Sequence, residues 1–350
     1  MSGDFGGFYN QPRVASPAVN QPHQQTQPQN CSSQMMANLA ALAQLSAPNP
    51  ILGLDFPLVS KPSAFTPPNA QDLSNNYMEK PGTMQIRCKF GSLGDQDRQF
   101  HSPHGFCMGP NEDIIVADTY NHRIQVFDKE GIFKFAFGLP GKEEGMLWFP
   151  RKVAVIEESG NFVICDRGNE RSRMQIFSPM GIFIRRIPIR FIDIVAGLAV
   201  NREGHIVAVD SVTPTIFVLH ESGKLIKFIE CSEYMTEPSD ISIFNHEYYI
   251  CDFKGHSIVV MHENGSFLRR IGCQPVTNFP NGIDISDAGD ILVGDSHGNM
   301  FHVAVYDRFG KLIAQFQCPQ VTSFLYNFYK FFVAQDLPRL SWHVTYVRFF

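Results

Sequence analysis

The sequence lacks several things that would place it in a familiar functional class. It has eight cysteines among 350 residues, but no C-x-x-C pair and no Cys/His cluster at zinc-ligand spacing. They read as free thiols, and no metal or cofactor is expected. It has no run of about 18 apolar residues, so no membrane-spanning helix is expected. The start, MSGDFGGFYNQPRVAS, lacks a basic stretch followed by an apolar one, so no secretory leader is expected and the cytoplasm, with a possible nuclear pool, is the expected location. There is no excess of positive charge either: 29 Lys and Arg stand against 34 Asp and Glu, a formal charge of −5, which argues against duplex DNA as a partner.

Charge is also unevenly spread. Residues 1–83 hold 11 of the 23 prolines but only three basic and four acidic residues. The tract QPHQQTQPQNCSSQ cannot bury enough apolar surface to offset the entropy of ordering, so this lead reads as disordered. One island, residues 35–45 (MMANLAALAQL), has Leu39, Leu42 and Leu45 at helical spacing and predicts a short helix.

From about Met84 the texture changes to short β-rich runs separated by Gly, Pro, Asn and Asp. One unit repeats five times. An apolar run ends in Asp118, Asp166, Asp210, Asp252 and Asp295, at intervals of 48, 44, 42 and 43 residues. A polar turn and a second run follow each Asp (RIQVF, RMQIF, TIFVL, SIVVM, HVAVY). A turn closing on Gly131, Gly181, Gly223, Gly265 or Gly310 then leads to a third run. A loop bearing Pro or Gly opens the next unit. Four short strands per unit make the blade of a β-propeller, and the five Asp side chains are predicted to hold turns by accepting backbone N–H bonds. The fold class is therefore all-β, with the propeller over 84–324 and a divergent, aromatic-rich segment over 325–350.

The first unit, DIIVADTYNHRIQVFDKEGIFKFAFG, resembles the NHL repeat, and the array is similar to the propellers of the tripartite-motif/NHL group. The resemblance implies six blades. Here a sixth begins (CPQVTSF) and then departs, while Met84–Phe90 (MQIRCKF) resembles the strand that closes the last blade from the N-terminal side. Two outcomes follow: a closed ring, or five blades with an open seam. The group's RING, B-box and coiled coil are not expected, since the 83-residue lead has one cysteine.

The resemblance also implies a non-enzymatic protein that binds single-stranded, uridine-rich mRNA, in 3′-untranslated regions, on one end of the ring, together with regulatory protein partners. The candidate contacts are Asn121, His122, Lys129, Phe149, Arg151, Lys152, Arg167, Phe279 and Asn281. Unstacked bases pack on aromatic or guanidinium planes, and basic side chains meet phosphate. Other places depart from that pattern: Ala196, Glu203, Ser211, Val212, Glu237, Phe253 and Ser296. That half-kept face leaves a protein-interaction platform as the alternative. An enzyme would need ligands converging on the channel, yet no histidine recurs at one place in three blades; His256 and His297 sit near the place of His122 at shifted offsets.

Overall fold

The structure is a computed structural model that describes residues 90–168, 171–297 and 300–322, with the backbone of three two-residue strands at 82–83, 332–333 and 344–345. The lead over 1–81 with the helix expected at 35–45, the closing strand expected over 84–89, and most of 325–350 lie outside the described residues.

Five antiparallel four-stranded blades account for nearly all of the described chain. Blade 1 uses Gly105–Met108, Ile114–Asp118, Arg123–Phe127 and Phe133–Phe137; blade 2 uses Lys152–Val155, Phe162–Asp166, Arg173–Phe177 and Phe183–Ile187. Blade 3 uses Val195–Val200, Ile206–Asp210, Thr215–Leu219 and Leu225–Glu230; blade 4 uses Pro238–Phe244, Glu247–Asp252, Ser257–His262 and Phe267–Ile271. Blade 5 uses Pro280–Ile285, Ile291–His297, Met300–Tyr306 and Leu312–Thr322. The second and third strands of blades 1 to 4 are buried nearly throughout, because both sheet faces pack on neighbours. One apolar cluster joins blades 1 and 2 through Ile115, Ile124, Val153 and Ile164; others join blades 3 and 4 and blades 4 and 5. Cys165, Cys231 and Cys251 are buried in or beside these strands, and burial pushes all three thiols up.

The first strands of successive blades adjoin around the ring, from blade 1 through to blade 5. Their closeness explains two glycines. A Cβ on Gly105 would stand 2.2 Å from the Arg151 carbonyl oxygen, and one on Gly197 would stand 2.8 Å from the Ile241 nitrogen. No comparable adjacency joins the first strands of blades 5 and 1 among the described residues, which leaves the place of a sixth blade between them. Phe90 stands at its edge. The turn glycine of each blade presses on the outer strand of the blade before: Gly181 on Phe137, Gly265 on Ile229, Gly310 on Ile271. Gly131 of blade 1 presses in the same way on Phe90. Phe90 therefore occupies the place that Phe137 has in blade 1, and with Phe100 it covers Phe106, Val116 and Phe127.

The five Asp side chains are 0–3% exposed, and each reaches further than its own turn. Asp118 accepts the His101 N–H (2.8 Å), Asp166 that of Trp148 (2.9 Å) and Asp210 that of Asp193 (2.9 Å). Asp252 accepts from Thr236 (3.0 Å) and Glu237 (2.9 Å), and Asp295 from Asn278 (2.7 Å) and Phe279. Each donor lies in the linker entering that blade. Asp166, Asp210 and Asp252 also hold the following turn, through Gly168, Val212 and Gly255.

These carboxylates differ in their cations. Asp166 faces the buried Arg173 guanidinium, whereas Asp210 has Thr215 in that place and burial pushes its carboxyl up. Asp166→Asn is expected to cost about 3 kcal/mol, since it strands a buried guanidinium. Asp210→Asn is expected to cost less, about 2 kcal/mol, since it turns an amide nitrogen toward a backbone N–H but strands no guanidinium. Urea denaturation of the two variants checks the order.

Candidate nucleic-acid interface

The antiparallel order assigns each loop to an end of the ring. The linkers between blades and the turns between second and third strands lie at one end, here the linker end. The turns between first and second and between third and fourth strands lie at the other, the hairpin end.

Seven of the nine candidate residues gather at the linker end. Asn121 closes a short 3-10 turn, and its Nδ2 donates to the Gly94 carbonyl (2.8 Å) and to Asp118 Oδ2 (2.9 Å), so it holds the linker of blade 1. His122 follows in the left-handed region (φ 56°). Its ring stacks on Trp148 (4.6 Å between centroids, 23° between planes) and meets Phe149 edge-on at 4.4 Å. Its Nδ1 accepts the Phe149 N–H at 3.1 Å, which places the proton of the neutral ring on Nε2. Burial lowers its pKa, against an opposing pull from Asp166, and favours that neutral form. Phe149 also has a positive φ (52°) and is half-buried, with Tyr120 edge-on at 5.3 Å. Tyr120 is 51% exposed.

This aromatic cluster is rimmed by cations. Lys142 Nζ lies 5.5 Å from the Trp148 ring centroid. Arg167 donates its backbone N–H to the Trp148 carbonyl (2.9 Å), which fixes it beside the cluster, and its side chain is exposed. Arg151 is anchored the same way, through its N–H to the Cys165 carbonyl (2.8 Å), and is also exposed. Neither guanidinium has a hydrogen bond or ion pair among the described residues. The loop also carries exposed Glu143 and Glu144, so the rim is not uniformly positive.

A second, smaller cluster stands at the junction of blades 4 and 5. Phe279 packs on Phe253 (5.1 Å) and meets His256 edge-on (5.4 Å). His256 is four residues past Asp252, as His122 is four past Asp118, and has the same left-handed backbone (φ 53°). It is in register with His122, not offset as the repeat alignment suggested; Gly255 in the intervening turn obscures the match. Asn281 is half-buried at the bulge that opens blade 5, in the place of Arg151.

The other two candidates are elsewhere. Lys129 lies in a hairpin-end turn, where it pairs with Glu112 at 2.8 Å, because an odd number of strand reversals separates it from Asp118. Glu203 is also at the hairpin end, beside His205, so it does not oppose charge on the aromatic cluster. Lys152 points across the ring and meets Asp240 (3.3 Å) and the Ser239 carbonyl (3.2 Å) of blade 4. It is 17% exposed and its partner 3%, which makes it a tie between blades.

Sequence reading passed over Arg123, Gln125, Arg173 and Gln175 as members of apolar strands. All four turn toward the linkers. Arg123 bridges Asp118 to the carbonyls of Gln96 and Gln99, and Arg173 bridges Asp166 to those of Lys142, Glu143 and Met146. The R-x-Q pattern shared by blades 1 and 2 was the available signal.

A family model described as the NHL repeat matches residues 100–127. The chain is 36% identical over 152 residues to Protein brain tumor of Drosophila melanogaster, covering 43% of this chain and 15% of that protein. It is equally identical over 152 residues to the B-box type zinc finger protein ncl-1 of Caenorhabditis elegans, covering 43% of this chain and 18% of that one. The matches thus span less than a fifth of these curated relatives. Among solved structures, a streptogramin B lyase superposes with a TM-score of 0.54 at 15% identity, covering 71% of this chain and 77% of the lyase chain, a likeness of fold alone. The NHL-repeat match thus falls on the first blade of a β-propeller, and the sequence relatives share that part of the chain. No group of three or more His, Cys, Asp or Glu placed to hold a metal occurs among the described residues.

The linker-end charges leave one measurable trace. His104, at the bulge opening blade 1, is pushed down to about 4 by burial, then by the Arg151 guanidinium and the Lys152 ammonium. The unfolded chain takes a proton there below about pH 6.5, while the folded chain resists until about 4. Its contribution to stability is therefore full above 6.5 and is lost as pH falls toward 4. His104→Gln is expected to flatten that decline by on the order of 1 kcal/mol, allowing for partial exposure. Denaturation midpoints of both proteins at pH 7 and 4.5 check it.

Proposed function

We propose that the linker end of blades 1 and 2 binds single-stranded, uridine-rich RNA, and that the protein acts as a non-enzymatic, cytoplasmic regulator of messenger RNA. The observation that carries this reading is the pairing of a half-exposed aromatic cluster with two guanidinium groups that have no hydrogen bond or ion pair among the described residues. Tyr120, His122 and Phe149 offer ring faces and edges to unstacked bases. Arg151 and Arg167 offer charge to phosphate at the same rim. The hairpin end supports the choice by contrast: Glu112, Glu130, Glu157, Glu158 and Glu221 crowd its turns, a field that repels a polyanion. The similarity to Protein brain tumor and ncl-1 is compatible with the same role.

A second reading concerns the rest of the linker end. Over blades 3 and 4 it exposes Ile194 and Val212, and Glu237 is neutralised by Lys254. That apolar, charge-balanced surface suits a protein partner better than RNA.

Fluorescence anisotropy with a uridine-rich strand and a base-scrambled control tests the proposal. Arg167→Glu is expected to weaken binding of the uridine-rich strand at least about tenfold and to reduce its salt dependence. Lys129→Glu, at the hairpin end, is expected to leave it within about twofold. Equal affinity for the two strands, or an unchanged dissociation constant in Arg167→Glu, rejects the site.

A further inference from the structure

Every blade ends on an outer strand whose far edge has no neighbour in its own four-stranded sheet. Such an edge presents unpaired N–H and C=O groups and invites another strand. Among the described residues the chain itself uses that property: Gly82–Thr83 adds to the outer strand of blade 5 in parallel, opposite Phe316 and Gln317. Strand addition to an outer blade edge is therefore geometrically available in this fold.

The remaining edges differ in what their side chains do. In blade 1, Lys134 is held by Asp113 at 2.7 Å. In blade 3, Lys227 donates to the Glu263 carbonyl at 2.6 Å. In blade 4, Arg269 is held by Glu247 and the Arg308 carbonyl, and Arg270 by the Tyr234 carbonyl and Ser257. Blade 2 is the exception. Arg185 and Arg186 of its outer strand Phe183–Ile187 are exposed, and neither has a hydrogen bond or ion pair among the described residues. The stretch from Ile182 to Arg190, IFIRRIPIR, holds a third exposed arginine and no acidic residue. Beside these charges lie exposed aliphatic groups: Met180 at 74%, Ile182 at 67% and Ile184 at 40%.

We infer that the outer edge of blade 2 is a docking strand for an extended, acidic segment of a partner protein, joined by strand addition. The backbone edge supplies the main-chain hydrogen bonds. Arg185 and Arg186, on opposite faces of the strand, each meet a carboxylate, and Ile184, on the face of Arg186, with Ile182 beside it, receives apolar side chains. Aliphatic rather than aromatic neighbours favour a peptide over nucleic acid, which would stack on rings. The surface is independent of the linker-end site, since it uses neither the aromatic cluster nor Arg167.

The test uses the full chain and a fluorescein-labelled decapeptide of Glu and Val with the Glu residues in adjacent pairs, which places carboxylates on both faces of the added strand. Its controls are the same peptide with Lys for Glu, and one with alternate amides N-methylated. Saturable binding of the acidic peptide is expected, at least about tenfold weaker for the lysine peptide and lost on N-methylation. Arg185→Glu/Arg186→Glu should lose at least about tenfold at an unchanged melting temperature, and Arg167→Glu should stay within about twofold. If the double charge reversal lowers the melting temperature, Arg185→Gln/Arg186→Gln is read instead, with a smaller loss expected. Equal binding of acidic and lysine peptides, or full binding of the N-methylated one, overturns the inference. So does displacement of the peptide by a uridine-rich RNA whose own affinity falls with the double substitution, which would make the edge an RNA contact.

Discussion

The structure depends on a buried carboxylate that fastens each blade to the linker that feeds it. A propeller blade is a small sheet, and its hydrogen-bond ladder says nothing about where the preceding loop should lie. The Asp at the end of the second strand supplies that information. By accepting N–H groups 15 to 18 residues upstream, it pins the incoming chain over the blade it is about to build. Burying a carboxylate is costly, so it persists only where its oxygens are filled. In blades 1 and 2 an arginine fills them, and in blade 3 three backbone N–H groups do so alone. The same requirement fixes which linkers are rigid enough to display side chains.

That dependence explains where the candidate site formed. The linkers of blades 1 and 2 are tied twice, by the Asp and by the Arg and Gln two strand positions apart on the third strand. A linker so held can keep Trp148 and Phe149 half-exposed in a fixed geometry without collapsing onto the core, at the cost of a positive φ at Phe149. Where the arginine is replaced, by Thr215 in blade 3 and Ser257 in blade 4, the linker end carries no comparable cluster of four rings. The smaller cluster of Phe253, His256 and Phe279 lies where the Asn278 carbonyl receives the His256 ring. Rigid display and local polar anchoring thus go together.

Much of this was legible in the sequence, for reasons that also mark the limit. The Asp spacing and the turn glycines report the repeat directly, because each is a local requirement that few residue types satisfy. Met84–Phe90 was legible as a blade-closing strand only through resemblance, and the repetition of Phe137's surroundings at Phe90 follows from the packing of Gly131 and Gly181. The partners of the Asp carboxylates were not, since a backbone N–H has no side-chain signature. The Lys152–Asp240 tie was not, since it joins residues 88 apart across the ring and follows only from how tightly the first strands converge. Lys129 was grouped with the linker end through resemblance, although strand parity alone assigns it to the other end. His256 was set aside by a shift of turn composition that leaves its backbone unchanged.

Convergence at the centre and openness at the rim are two sides of one geometry. The first strands approach so closely that Gly105 and Gly197 cannot carry a Cβ, and a lysine from blade 2 reaches an aspartate of blade 4. The strands then fan apart outward, and the outer edges gain the freedom the centre loses. Charge follows the same gradient. Near the axis Lys152 is paired, whereas at the periphery of blade 2 Arg185 and Arg186 have no hydrogen bond or ion pair among the described residues. A ring tightened by its carboxylates and glycines therefore leaves its exposed rings, and the guanidinium groups without partners among the described residues, at loop ends and strand edges.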